Sequence, residues 1–90
     1  MKLKNSLSFN SVPLLDMPIE KEGTIVKIDE SILNRDQLRD CLDQGFLPGT
    51  KIQVLANYHS QKKVLTIISQ QMKVALSYSI AKSITVQYES

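Results

Sequence analysis

Two side chains could together start a covalent reaction: Cys41 and His59, the single cysteine and single histidine of the 90-residue chain. A thiolate needs a base within hydrogen-bond reach to serve as a nucleophile. Cys41, however, stands on the apolar side of a helical pattern, where an inert packed thiol is expected, and His59 stands in a polar loop. The carboxylates Asp36, Asp40 and Asp43 line the wet sides of that helix, and Glu20, Glu22 and Asp29 flank a strand pattern. Neither group has the contrasting surroundings that push two pKa values apart for acid–base work. One histidine and one cysteine do not supply the converging ligands of a transition-metal site. "GFLPG", residues 45–49, lacks the glycine spacing and the lysine of a phosphate-cradling loop. No catalytic, metal-ligating or cofactor-binding residue is assigned, so an enzyme is not expected, nor a cofactor.

Binding chemistry has more to work with. Tyr58, His59, Lys62 and Lys63, joined in space by Tyr78, Lys82 and Tyr88, would be the cluster able to stack on bases and follow a phosphate backbone. Without arginines or an aromatic alternation, a solvated hairpin tip is the plainer reading, and nucleic acid is not expected as a partner. The charge is unevenly divided all the same. Residues 1–50 hold six Lys/Arg against eight Asp/Glu, whereas residues 51–90 hold five lysines against Glu89 alone. Such an asymmetry suits an acidic partner or nucleic acid, while the spread of the lysines also fits solvated outward faces of strands.

The elements that must position these groups follow from periodicity. Hydrophobic residues at 42% and charged residues at 22% are ordinary globular usage, so the chain is expected to fold as one small domain. No apolar run reaches the 18 or so residues of a membrane helix, and the lone cysteine agrees with a reducing compartment. These features predict a cytoplasmic protein with a loose leader over residues 1–11 and a domain over 12–88. "GTIVKID", residues 23–29, predicts a strand with Val26 and Ile28 on one face. Asn34 and Gln37 have the spacing of a capping box, Leu38, Cys41 and Leu42 form an apolar stripe, and Gly45 follows as a stop. The spacing predicts one helix over about residues 35–44.

Beyond it the period is two. Ile52, Val54 and Ala56 would share a face, followed by strand patterns at residues 64–68, 72–76 and 84–88. "NYHSQKK", residues 57–63, reads as a hairpin connection, "SQQ", residues 69–71, as a tight turn, and "YSIAKS", residues 78–83, as a single 3₁₀ turn. About five short strands with one inserted helix would curl into a small barrel or two packed sheets. Pro48 and Gly49 set a turn that aims residues 51–56 into that barrel. Between the corners stand Phe46 and Leu47, one expected to pack inward and the other free to meet a partner; with Tyr58 they are the partner-binding candidates. Edge strands of such a barrel can pair between copies, which allows a homo-oligomer.

"LRDCLDQGFLPGTKIQVL", preceded by "LLDMPIEKEGTIVKI" and followed by "MKVALSYSIAKSITV", resembles the FeoA family of bacterial ferrous iron transport over roughly residues 12–88. The resemblance implies a mainly β, SH3-like barrel. It further implies a non-enzymatic cytosolic accessory that acts by contact with a membrane ferrous iron transporter of the FeoB type, which carries the GTP-binding domain. No direct membrane insertion follows. The same type of domain ends some metal-dependent repressors, but this chain leaves no room for a helix-turn-helix ahead of the barrel. The alternatives are such a repressor domain in isolation, or a small nucleic-acid-binding barrel. Three features depart from the family pattern: Glu20 stands where a glycine is common, Ser77 where an arginine is common, and the loop "NYHSQKK" lacks the glycine and proline common there.

Overall fold

The period-two stretches form strands, and one more strand joins them from a stretch without that pattern. The computed structural model describes residues 9–58 and 62–89. Its strands are β1 (Phe9–Pro13), β2 (Glu22–Ile28), β3 (Lys51–Tyr58), β4 (Lys62–Ile67), β5 (Met72–Ser77) and β6 (Ile84–Glu89). Helix α1 (Arg35–Asp43) lies between β2 and β3, and the single turn α2 (Tyr78–Ala81) between β5 and β6. All neighbours pair antiparallel in one sheet of order β1-β6-β2-β3-β4-β5. Ile25, Ile52, Leu65, Leu76 and Val86, one from each of β2 to β6, are buried in a single cluster. A sheet that buries one face in this way curls over its own core, giving a mainly β, SH3-like fold.

Two bulges make the curl and correct two of the expected faces. In β2 the register with β6 shifts between Ile25 and Lys27, so Val26 is the extra residue. Ile25 is buried while Val26 is exposed, and Val26 does not share a face with Ile28. In β3 the register with β4 shifts between Val54 and Ala56. Ile52 and Val54 point inward, but Leu55 is the extra residue and Ala56 pairs with Val64 on the other face. A bulge adds one residue to one strand, reverses the alternation beyond it and bends the sheet.

β1 lies partly within the stretch read as leader. Residues 9–11 pair with Glu89, Tyr88 and Gln87 of β6; residues 1–8 of that reading lie outside the described residues. Asn10, Ser11 and Pro13 have weak strand preference, so the pairing comes from β6 rather than from local sequence, and proline is tolerated because β1 is an edge. α1 starts as its cap predicts: Asn34 Oδ1 accepts from Gln37 N at 2.8 Å while Gln37 Oε1 accepts from Asn34 N at 3.0 Å. "YSIAKS" makes an α-turn over Tyr78–Ala81 rather than a 3₁₀ turn. Ser77 caps it by accepting from Ile80 N at 3.4 Å, a task that an arginine there would not perform.

Between β1 and β2 the chain makes a 3₁₀ turn over Leu14–Asp16 and then a tight turn in which Lys21 N donates to Pro18 O at 3.4 Å. Glu20 occupies the third position of that turn with φ 72°, the left-handed value a type II turn requires there. Its N–H donates to Val54 O at 2.7 Å and its carbonyl accepts from Gln53 Nε2 at 3.2 Å, so β3 holds the strained residue in place. A left-handed non-glycine residue costs about 1–2 kcal/mol, partly offset by the freedom glycine would lose on folding. Glu20→Gly is therefore expected to raise stability by about 0.5–1 kcal/mol, read from urea unfolding curves with an unchanged slope.

Candidate partner-binding surface

The corner between α1 and β3 is built from two consecutive turns, each closed by backbone hydrogen bonds. After Gln44, Gly45 takes φ +95°; its N–H donates to Leu42 O at 3.1 Å, and Phe46 N donates to Cys41 O at 3.0 Å. These two bonds satisfy the last helix carbonyls in a Schellman motif, which needs a left-handed residue between them. Thr50 N then donates to Leu47 O at 2.9 Å across Pro48 and Gly49, and Gly49 has φ +94°. Proline second and a left-handed glycine third make a type II turn. Thr50 Oγ1 donates back to Gly45 O at 2.9 Å, locking one turn to the other.

The corner is also fastened to β2. Gly49 N donates to Ile25 O at 2.7 Å and Ile25 N donates to Thr50 O at 2.9 Å. The double turn swings Phe46 fully into the core and leaves Leu47 at 47% exposure. Phe46 is thus corrected from a partner candidate to a core residue, and Leu47 is the member of the pair that a partner could touch. Leu42 and Val26, both 43% exposed, sit on the two segments to which the corner is hydrogen-bonded. Three exposed apolar residues therefore stand on segments tied together by backbone hydrogen bonds, and clustered apolar exposure is what a protein-contact surface requires. Tyr58, the third candidate, ends β3 in register with Lys62, at the opposite end of the strand from this corner.

The remaining chemistry-bearing groups go elsewhere. Cys41 is buried, and burial, with help from the Asp40 charge, pushes its thiol above the ordinary value, the opposite of an activated nucleophile. His59 lies outside the described residues. Asp29 is held below the usual carboxylate range because its Oδ1 accepts from Ser31 Oγ at 2.6 Å and Ser31 N at 3.0 Å, a local turn at the end of β2. No group of three His, Cys, Asp or Glu comes together among the described residues.

Lys63 does not belong to the solvated hairpin tip expected of it with Tyr58, His59 and Lys62. It is 1% exposed, and its Nζ donates to Leu15 O and Met17 O, both at 2.9 Å, and to Asn57 Oδ1 at 3.2 Å. All three ammonium donors have partners, which is what allows a cation to be buried at all. Lys63 therefore cannot join Lys62 on a nucleic-acid surface. The signal was present in the sequence as the alternation Lys63, Leu65, Ile67, in which lysine holds an inward position of β4.

With the geometry in place, the comparisons with known proteins are decisive on family. The FeoA domain model matches residues 12–88. The chain belongs to the FeoA family. It is a small iron-transport-associated domain of SH3-like fold. No curated protein sequence matches it. Among solved structures, an iron uptake regulatory protein (FeoA) superposes with a TM-score of 0.72 at 21% identity, covering 90% of this chain and 99% of that one. A FeoA-like protein from Clostridium acetobutylicum gives 0.71 at 20% identity, covering 87% and 86%. A manganese-dependent transcriptional repressor in complex with manganese gives 0.78 at 21% identity, covering 89% of this chain but only 37% of the repressor. At these identities the superpositions speak for the fold, and the FeoA assignment rests on the domain match.

Lys63→Met removes the donors and strands the carbonyls of Leu15 and Met17, so a loss of about 2–4 kcal/mol is expected in urea unfolding followed by circular dichroism. Burial holds the Lys63 ammonium below the ordinary lysine value, against a smaller opposing pull from Asp16. Between the lowered value and the ordinary one, the unfolded chain binds the proton more tightly than the folded one, so the stability due to Lys63 rises with pH across that window. The stability gap between wild type and Lys63→Met should widen as pH rises toward the ordinary lysine value; a gap that narrows there would contradict the assignment.

Proposed function

We propose that this FeoA domain is a non-enzymatic cytosolic accessory of bacterial ferrous iron uptake, working by contact with the GTP-binding domain of a FeoB-type membrane transporter. The observation that carries the reading is the α1–β3 corner: a hydrogen-bonded double turn that buries Phe46 and exposes Leu47, with Leu42 and Val26 exposed on the two segments it is tied to. A reaction would need positioned, activated groups; here the thiol is buried with a raised pKa and the acidic side chains stand on wet faces. Among the described residues no helix is long and apolar enough to cross a membrane, which is compatible with a domain that meets its transporter from the aqueous side. Iron and GTP chemistry are then left to the partner, and the FeoA domain supplies shape.

A second reading has the repressor likeness behind it. If the chain worked as the SH3-like domain of a metal-dependent repressor, its association would be with DNA-binding modules rather than a transporter, and a neighbouring gene for a large GTP-binding membrane protein would be unexpected. The two readings are separated by the binding partner itself.

Leu47→Asp is expected to leave stability within about 0.5 kcal/mol of wild type, because the side chain is half exposed, and to abolish capture of the transporter's cytosolic GTP-binding domain in a purified pull-down. Unimpaired capture by the folded variant would remove Leu47 from the contact. Titration with Fe(II) under anaerobic conditions is expected to show no tight stoichiometric binding; a sharp equivalence point would make the domain a sensor rather than an adaptor.

A further inference from the structure

The charge asymmetry of the sequence acquires a shape in the sheet. The register of β3, β4 and β5 sorts their residues by face: Lys62, Val64 and Thr66 of β4 pair with Ser77, Ala75 and Lys73 of β5, opposite in face to the buried Lys63, Leu65 and Ile67. Gln53 joins that outer face opposite Thr66, and Lys51 precedes it by two residues on β3. On β4 and β5 this outer face carries Lys62 and Lys73 and no carboxylate, residues 51–88 containing none; Lys51, toward β2, lies instead with Glu22 and Glu89. Small side chains separate Lys62 from Lys73, and neither has an acidic neighbour on β4 or β5.

A second, independent feature adjoins it. β5 is the last strand of the sheet and pairs with β4 alone among the described residues. Every second residue of a strand directs its N–H and C=O to one side, so the outer side of β5 offers a row of donors and acceptors for one more strand. On the inward side of the same edge, Val74 is half-buried and Met72 is 41% exposed, an incomplete apolar row in line with Leu76. An added strand would complete it.

We propose that the β5 edge receives an extended segment of a partner protein as a seventh strand, a segment in which acidic residues alternate with apolar ones. The apolar residues would cover Met72 and Val74. The acidic residues would emerge on the lysine face, where a residue opposite Lys73 lies about 5 Å away, Cβ to Cβ. Backbone pairing supplies the affinity and the alternating side chains the selectivity, the usual division in strand addition. Charge decides against a second copy of this chain: pairing β5 with itself would join two acid-free lysine faces edge to edge. The face also lacks arginine, which disfavours a nucleic-acid strand. This inference rests on the reading of the domain as a protein-contact module, but it concerns a different surface from the Leu47 corner.

The test uses the full chain, labelled with nitrogen-15, and a blocked peptide of alternating glutamate and valine about eight residues long, with the lysine–valine peptide as its counterpart. The expected result is chemical-shift change and slowed amide exchange centred on residues 72–77 with the glutamate peptide only, weakening as salt rises. Lys62→Glu with Lys73→Glu should weaken binding about tenfold or more, and the neutral Lys62→Gln with Lys73→Gln pair by less. Leu47→Asp should bind the peptide as wild type does, so a failed transporter contact and a failed β5 site are told apart. The proposal is overturned by no binding at low salt, by equal binding of the lysine peptide, or by shifts that spare β5. Tighter binding of oligothymidylate at the same lysines, or a dimer formed through β5, would overturn it as well.

Discussion

A lysine ammonium inside the barrel fixes the part of the chain on which the rest is aligned. Lys63 Nζ holds the carbonyls of Leu15 and Met17, whose neighbour Leu14 and whose own side chain, Met17, are fully buried. The crossing from β1 to β2 is irregular and makes few ladder bonds, so its carbonyls need donors from elsewhere. A long, charged side chain reaching across from β4 supplies two at once. With the crossing pinned, β2 runs in register with β6 and β3, and Ile25 of β2 then anchors both ends of the Gly49–Thr50 peptide at the α1–β3 corner. The exposed Leu47 is thus positioned by a relay of backbone bonds that starts at a buried cation.

Such a design suits an adaptor better than a catalyst. Cys41 is buried, and Asp29 is engaged in a local turn with Ser31. What the fold exposes is instead apolar area at one corner and, on β4 and β5, Lys62 and Lys73 beside a strand edge with no partner among the described residues. Both are features of recognition, and they lie on different parts of the sheet, so one small FeoA domain has room for two contacts with a larger partner. The bulges at Val26 and Leu55 serve the same end: they bend the sheet enough for one core to close in 90 residues, and one of them turns Val26 outward beside the corner.

Much of this was legible in the sequence. The helix boundaries followed from Asn34, Gln37 and Gly45, and the double turn from Pro48 and Gly49, because caps and turns are decided by a few residues in contact along the chain. β1 was not legible, since Asn10 and Ser11 extend only when β6 is there to pair with them. The two faces misassigned by strict alternation failed at bulges, whose extra residue leaves no local mark in "IVKI" or "VLAN". Lys63 was hidden by composition: beside Lys62 it looks like a charged hairpin, and only its place in the inward series with Leu65 and Ile67 marks it as buried. Glu20 is the reverse case. The resemblance marked Glu20 only as a departure from a common glycine, and the structure gives the reason for that glycine in the left-handed third position of the Pro18–Lys21 turn.

The most direct measurement is a map of amide chemical shifts in the nitrogen-15-labelled domain as the purified cytosolic GTP-binding domain of a FeoB-type transporter, the proposed partner, is added. The account predicts saturable changes centred on Leu42, Leu47 and the neighbouring residues of the α1–β3 corner. An absence of change at high partner concentration, or changes that leave that corner untouched, would contradict it.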